Sequence, residues 1–210
     1  MTRAKLPVAV ATLVLAGTLA VAMAQAAPAS PPDDHWAPTR QWMSFRAGSA
    51  RISGNNVPDG GFGVGVEYSR MLTQLKLYKW SVLKRWSLGG AVSYENLGSF
   101  ADATQISVPA TLTLARHFRM TPTLHPYFGP GFGAIYRKLY RTGDDMSTIT
   151  PSFILVSGLN VPIDNRQLVG LDWRVNFYDG SNGSDNPVFG PGEKKTRMWS
   201  LKLNYALTYF

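Results

Sequence analysis

The last twelve residues of the chain alternate between apolar side chains and small or polar ones. Residues 199–210 read Trp-Ser-Leu-Lys-Leu-Asn-Tyr-Ala-Leu-Thr-Tyr-Phe, with an apolar or aromatic residue at every odd position from 199 to 209. A period of two is typical of a β-strand with one apolar face. The length also fits a tilted strand that crosses a membrane, which takes about 9–11 residues. The C-terminal stretch therefore predicts a strand of membrane-crossing length.

The first 26 residues have the pattern of an export signal. Arg3 and Lys5 precede an apolar run over residues 6–22, and Ala24-Gln25-Ala26 is an A-x-A cleavage site. We predict a cleaved signal peptide over 1–26. An N-terminal membrane anchor is the alternative, because the run approaches helix-spanning length, but the small residues and the A-x-A site favour cleavage. The chain has no cysteine, so it holds neither a disulfide nor a lipid-modified cysteine.

The alternation recurs along the chain between segments rich in Gly, Asn, Asp and Ser. It predicts an all-β fold, an eight-stranded antiparallel transmembrane up-and-down β-barrel over residues 40–210, after a Pro-rich lead-in over 27–39. The predicted strands cover residues 40–50, 61–72, 86–96, 105–118, 125–140, 149–163, 168–178 and 199–210.

The connections between these strands alternate in length. Four are long and polar, at 53–60, 97–104, 141–147 and 180–196, whereas those at 119–124 and 164–166 are short. Long loops on one side and short turns on the other are typical of membrane barrels. Residues 73–85 fit neither type. They extend the flanking strands or form a short amphipathic helix, and the alternation of Leu75 and Leu77 favours the extension.

Charged residues of both signs fall on the face opposite the greasy one. We predict that they form an ion-pair network in the lumen, because inward charges must be paired. Its members are Arg46, Glu67, Glu95, Asp172, Arg174 and Lys202. Two of the carboxylates acting as general acid and base is the alternative, but no nucleophile or metal pattern accompanies them. A soluble lipocalin-like barrel would instead place its greasy residues inside.

Aromatic residues fall near both ends of the greasy face, as they do where rings settle at the two interfaces of a bilayer. We predict membrane-interface positions for Trp42, Trp86, Tyr94, Tyr136, Phe177, Trp199 and Tyr209.

The chain resembles the small eight-stranded outer-membrane barrel family, of the OmpA and OmpX type. The resemblance rests on the signal ending in Ala24-Gln25-Ala26, on Pro-Tyr-Phe-Gly-Pro-Gly-Phe-Gly at 126–133, and on the terminal aromatic. It implies an outer membrane of a Gram-negative-type bacterium and recognition of the last strand by barrel-assembly machinery. That assembly signal would comprise Tyr205, Leu207, Tyr209 and Phe210, although Phe210 is one residue out of phase with the others.

The sequence favours a structural or surface-interaction role. We predict no catalytic residues, no metal site and no cofactor. His117 and His125 flank a short turn and are expected as surface or rim residues, and His35 lies in the lead-in. A lipid A deacylase is the enzyme alternative, but no histidine follows His125 to activate a late serine. A narrow channel is the third reading.

The expected partners are outer-membrane lipids and lipopolysaccharide, to whose anionic groups the net charge of +8 is suited. A surface ligand bound through the 180–196 loop is a further candidate. Nucleic acid is not expected, since the basic residues are scattered along strands and turns.

Overall fold

The structure is a computed structural model that describes residues 35–53, 60–72, 75–77, 80–82, 85–100, 103–121, 123–141, 144–179 and 196–209. These ranges contain ten β-strands: β1 (Gln41–Ser53), β2 (Gly61–Met71), β3 (Leu75–Leu77), β4 (Trp80–Val82), β5 (Trp86–Phe100), β6 (Ala103–His117), β7 (His125–Arg141), β8 (Asp144–Pro162), β9 (Gln167–Tyr178) and β10 (Thr196–Tyr209). Within these ranges, no helix has the length and apolar character to span a membrane.

Eight of the strands close into one antiparallel barrel, in the order β1-β10-β9-β8-β7-β6-β5-β2. The barrel closes where β1 pairs with β10, from Gln41 opposite Tyr209 to Ser53 opposite Arg197. A closed sheet leaves no unpaired strand edge, which is the condition for crossing a hydrocarbon layer. The predicted eight-stranded all-β barrel is confirmed. We call the end that carries Gln41 and Tyr209 the inner end, and the end that carries Ser53 and Thr196 the outer end.

The segment between β2 and β5 is a separate small hairpin. β3 and β4 pair with each other, Leu75 opposite Val82 and Leu77 opposite Trp80, and they form a two-stranded sheet apart from the barrel. The described part of 73–85 is thus β structure, as the alternation of Leu75 and Leu77 indicated, and no helix is formed there. It does not lengthen the barrel strands, however, because its sheet is distinct from theirs.

Two of the predicted long outer connections are much shorter than expected. β5 and β6 stay paired up to Phe100 opposite Ala103, and β7 and β8 up to Arg141 opposite Asp144. In the first hairpin a bulge between Asn96 and Gly98 absorbs the irregular Asn-Leu-Gly stretch, so pairing resumes beyond it. The polar residues at 97–104 and 141–147 were therefore mistaken for loops. Residues 54–59 and 180–195 of the other two predicted loops lie outside the described residues.

The two faces of the barrel differ as the alternation predicted. Large apolar side chains point outward and remain exposed, among them Leu88 at 50% and Phe132 at 66%. Charged side chains point inward and are buried, with Asp172 and Lys202 each 1% exposed. A water-soluble barrel would bury the first set and expose the second, so the lipocalin-like alternative is wrong. The exposed apolar surface suits a hydrocarbon environment.

The sequence suggested a lumen that is polar throughout, but the structure shows apolar layers as well. An apolar cluster closes the outer end, made of Ala50, Ile52, Leu97, Ile135, Tyr178 and Met198. A second cluster lies at the inner end, made of Trp36, Trp42, Met71, Leu168 and Ala206. The charged residues occupy the middle. The apolar layers at both ends lower the polarity around the ion pairs, which strengthens their attraction.

Candidate functional site: the filled lumen

Four charged side chains from three strands meet at the centre of the barrel. Arg46 of β1 places its Nη1 atom 3.3 Å from Asp172 Oδ1 and 3.4 Å from Glu67 Oε2. Arg174 donates from Nε to Asp172 Oδ1 at 2.7 Å and from Nη2 to Glu67 Oε2. Each guanidinium therefore bridges the same two carboxylates. Charge-assisted hydrogen bonds of this kind are the strong ones.

Tyr127 of β7 completes this centre. Its hydroxyl donates to Asp172 Oδ2 at 2.7 Å, so both oxygens of the carboxylate have partners. Gly158 on the neighbouring β8 leaves the space that the Tyr127 ring occupies, since a Cβ atom there would overlap the ring. The sequence reasoning missed Tyr127. Its odd position on β7, opposite in phase to Phe128 and Phe132, is the signal that could have placed it inside.

A separate ion pair lies beside this centre. Lys202 Nζ donates to Glu95 Oε1 at 2.5 Å, and both side chains are almost fully buried. All six predicted lumen residues are thus brought together in pairs, with three cations facing three carboxylates. The charges of these six residues balance, so the ion-pair centre carries no net charge, and no member is left as an unpaired buried ion, which would be very costly.

Glycine makes room for the Lys202–Glu95 pair. Gly63 faces the lumen opposite Glu95, and a Cβ atom at that position would overlap the Glu95 carboxylate. We expect Gly63→Ala to lower the free energy of unfolding by about 1–2 kcal/mol, since overpacking strains a filled interior. Gly90→Ala is the matched control, because the added Cβ would lie 3.5 Å from Leu112 Cδ2, an ordinary contact on the outward face. Urea unfolding of the refolded protein measures both; equal losses would contradict the proposed crowding.

The three histidines are all buried, so His117 and His125 lie near the inner rim as predicted but are not surface residues. His35, His117 and His125 are 1%, 3% and 3% exposed. They lie at the inner end, where Trp36 from the lead-in stacks on His125 with 3.5 Å between ring centroids and 10° between planes. His35 contacts Thr208 Oγ1 at 3.0 Å through Nδ1 and donates from Nε2 to the Asp164 carbonyl at 2.7 Å. The lead-in therefore seals the inner mouth, which no pattern in its Pro-rich sequence indicated.

One of these histidines forms a Ser–His pair that the sequence did not reveal. His117 Nε2 lies 2.8 Å from Ser87 Oγ, and Trp36 Nε1 donates to His117 Nδ1 at 3.1 Å. An indole nitrogen can only donate, so Nδ1 is the acceptor and the ring proton sits on Nε2. Nε2 must then donate to Ser87. In this tautomer His117 cannot take the serine proton, which a nucleophilic serine requires.

The Trp36–His117 hydrogen bond can be tested on its own. Trp36→Phe keeps a ring to stack on His125 but removes the donor to His117 Nδ1. We expect a loss of about 1–2 kcal/mol in the free energy of unfolding, because a buried acceptor is left without its donor. Ser147→Ala, at an exposed position on β8, serves as a neutral reference in the same urea titrations. An unchanged midpoint for Trp36→Phe would mean that this bond contributes nothing to the seal.

The predicted interface aromatics divide into two groups. Trp86, Tyr94, Tyr136, Phe177, Trp199 and Tyr209 lie on the outward face. Trp42 does not, and its prediction as an interface residue is wrong. It shares the phase of Arg46 four residues later, so the period of two turns it inward, where it is 5% exposed and packs with Trp36. Tyr205 and Leu207 of the predicted assembly signal also point outward, and Phe210 lies outside the described residues.

The lumen leaves almost no free space. Between the ion pairs and the inner seal lies a cavity of about 20 Å³, bordered by Glu67, Ser87, His117 and Tyr127. That volume is about what one water molecule needs. Among the described residues, no group of three His, Asp or Glu side chains is placed to hold a metal ion. The described lumen is thus packed around six central charges that balance one another.

No protein-family model and no curated protein sequence matches this chain. Among solved structures, it is similar to Neisserial surface protein A, with 10% identity, 80% of this chain and 96% of that chain covered, and a TM-score of 0.56. It is also similar to Ail, the attachment invasion locus protein of Yersinia pestis, in complex with the heparin analogue sucrose octasulfate, with 12% identity, 82% and 99% covered, and a TM-score of 0.53. The outer membrane enzyme PagL matches at 13% identity, 78% and 97% covered, with a TM-score of 0.42. The fold is that of the small eight-stranded outer-membrane β-barrels.

Proposed function

We propose that this protein is a sealed barrel of the bacterial outer membrane with a structural or surface-binding role and no catalytic one. The observation that carries the proposal is the contrast between its two faces. The outward face is largely apolar, and the middle of the lumen holds three cations paired with three carboxylates. Such a body is anchored by its surface and transports nothing through its interior.

The proposal includes a location and an orientation. The signal over 1–26 exports the chain, the outer membrane receives it, and barrel-assembly machinery recognises the C-terminal strand that ends in Tyr209 and Phe210. The inner end then faces the periplasm and the outer end faces the cell surface. Binding of a surface ligand through residues 180–196 fits this orientation, since loops on a rigid scaffold carry such contacts.

The enzyme alternative is a lipid A deacylase. It needs a serine activated by a base at the membrane surface. In the described residues the Ser–His pair formed by Ser87 and His117 has its ring proton on the wrong nitrogen and lies buried at the inner end. Ser181, the candidate nucleophile on the outer side, lies outside the described residues.

A deletion strain separates the two functions. We expect the mutant to keep the lipid A acyl pattern of the parent by mass spectrometry and to become more sensitive to detergent, with detergent resistance restored by the intact gene. The protein should fractionate with the outer membrane and show heat-modifiable mobility on gels. A lipid A acyl chain retained in the mutant and removed again on complementation would establish a deacylase and overturn the non-catalytic role.

A further inference from the structure

The outward face of the barrel carries a furrow. It has a volume of about 530 Å³ and crosses β8, β9 and β10. Its floor is Ser157, which the strand register places between Phe128 of β7 and Trp173 of β9. A small side chain between two large rings leaves a depression. Its volume lies within the range of about 300–1,000 Å³ that is usual for ligand-binding clefts.

The furrow runs along the strands towards the outer end. The row of Trp173 lies at its inner limit and the row of Phe177 and Arg197 at its outer limit, with Val175 and Trp199 between them. Four residues separate these rows on β9, which corresponds to about 13 Å at roughly 3.3 Å per residue. One leaflet of a bilayer has a hydrocarbon depth of about 15 Å. The furrow thus has the length of one acyl chain in the outer leaflet.

Two arginines stand at the outer end of this furrow. The guanidinium of Arg197 lies over the Phe177 ring at 5.8 Å, and that of Arg51 lies over the Trp199 ring at 5.7 Å. The register makes them diagonal neighbours, since Arg51 is opposite Trp199 and Arg197 is opposite Ser53. Neither has a carboxylate partner among the described residues. A guanidinium held over a ring face still has N–H groups with which to bind phosphate.

We infer that this furrow is a binding site for a phosphorylated, acylated glycolipid of the lipid A type. One acyl chain lies in the furrow over Ser157, and a phosphate at the glycolipid head accepts hydrogen bonds from Arg51 and Arg197. The inference rests on the proposed outer-membrane location, because it needs this face in the outer leaflet. It adds a defined site to that proposal.

Charge complementarity favours a phosphorylated glycolipid over a neutral lipid in this furrow. Positive charges on a lipid-facing surface are costly near the centre of a bilayer and nearly free at its interfaces. Arg51 and Arg197 lie beside the furrow at the outer end of the barrel. In a bilayer, that end would lie at the level of the lipid phosphates. A neutral lipid would fill the furrow equally well but would make no use of the two guanidiniums.

The test measures lipid retention by the full-length protein purified in detergent, with native mass spectrometry after addition of lipid A. A second probe is the same lipid with its phosphates removed. We expect Arg51→Gln/Arg197→Gln to retain lipid A at least about tenfold less, as two surface arginines each contribute to anionic lipid binding. Retention of the dephosphorylated lipid should stay unchanged. The matched control is Arg70→Gln, because Arg70 is an exposed residue of β2 at the inner end, opposite Gln41 and away from the furrow.

The furrow itself is tested by filling it. Ser157→Phe should reduce retention of both lipids, whereas Ala134→Phe on the outward face of β7 should leave both unchanged. Equal losses in the Arg70 control and the double variant, or full retention by Ser157→Phe, would overturn the site. Heat-modifiable mobility confirms that each variant is folded. Absence of the wild-type protein from the outer-membrane fraction would instead refute the proposed function itself.

Discussion

Replacing Lys202 by Met is expected to lower the free energy of unfolding by about 3–5 kcal/mol, the usual cost of removing one partner from a buried ion pair. Lys202 and Glu95 are almost fully buried, and the 2.5 Å contact between Lys202 Nζ and Glu95 Oε1 joins their opposite charges directly. Without Lys202, the Glu95 carboxylate is left buried without its ion-pair partner. Urea titration of the protein refolded in phospholipid vesicles, followed by tryptophan fluorescence, measures the loss.

The double variant Glu95→Gln/Lys202→Met is the control for this result. It removes both charges at once, so it should recover most of the stability lost in the single variant, because a buried pair often contributes little beyond its own desolvation cost. The interaction free energy from the complete double-mutant cycle then isolates the pair. A loss under about 1 kcal/mol in Lys202→Met would show that the site is hydrated and the interior is not sealed.

Leu203→Arg is expected to destabilise the membrane-inserted barrel by about 2–4 kcal/mol, the cost of a lipid-facing charge near the bilayer midplane. Leu203 points outward, is 45% exposed and lies near the middle of β10. Gln41→Arg places the same charge on the same face at the inner rim, where the cost falls to about 0–1 kcal/mol. The readout is the folded fraction by heat-modifiable mobility, together with urea midpoints in vesicles.

The depth dependence is the informative part of that comparison. If the Leu203 variant folds as well as the Gln41 variant, the outward face does not contact hydrocarbon, and the membrane placement is wrong. Asn204→Arg is a poorer control than the alternation alone would suggest. Asn204 is opposite Arg46 in the β1–β10 register and is 7% exposed, so a new arginine there would meet a like charge in a filled space.

Most of the barrel strands could be predicted from the sequence, because a period of two is visible within each short segment. The alternation over Phe62 to Tyr68 and over Trp199 to Tyr209 is enough to define strands and their greasy face, and six charges on the opposite face are enough to predict inward positions. The same rule could have corrected Trp42, since it has the phase of Arg46. The position of Trp42 near a strand end indicates an interface residue, but its phase in the alternation indicates the lumen.

The rest of the candidate site could not be predicted from the sequence. Trp36 lies in a Pro-rich segment without periodicity, and its contacts with His117 and His125 bring together residues about 80 positions apart. Nothing local fixes where such a segment folds. The Ser87–His117 pair likewise depends on register between β5 and β6 and on the donor that sets the tautomer. Long-range geometry of this kind follows only once the closed barrel is known.

A sealed lumen is the central claim, and single-channel recording in planar lipid bilayers tests it most directly. The protein purified in detergent should give no stable, uniform conductance, while a general porin in the same bilayers supplies the positive control. Ion pairs in the middle of the described lumen and apolar clusters at both ends are the reason for this expectation. Reproducible open-channel steps whose size changes with Arg174→Ala would contradict the account, because that result would place Arg174 beside a water-filled pore.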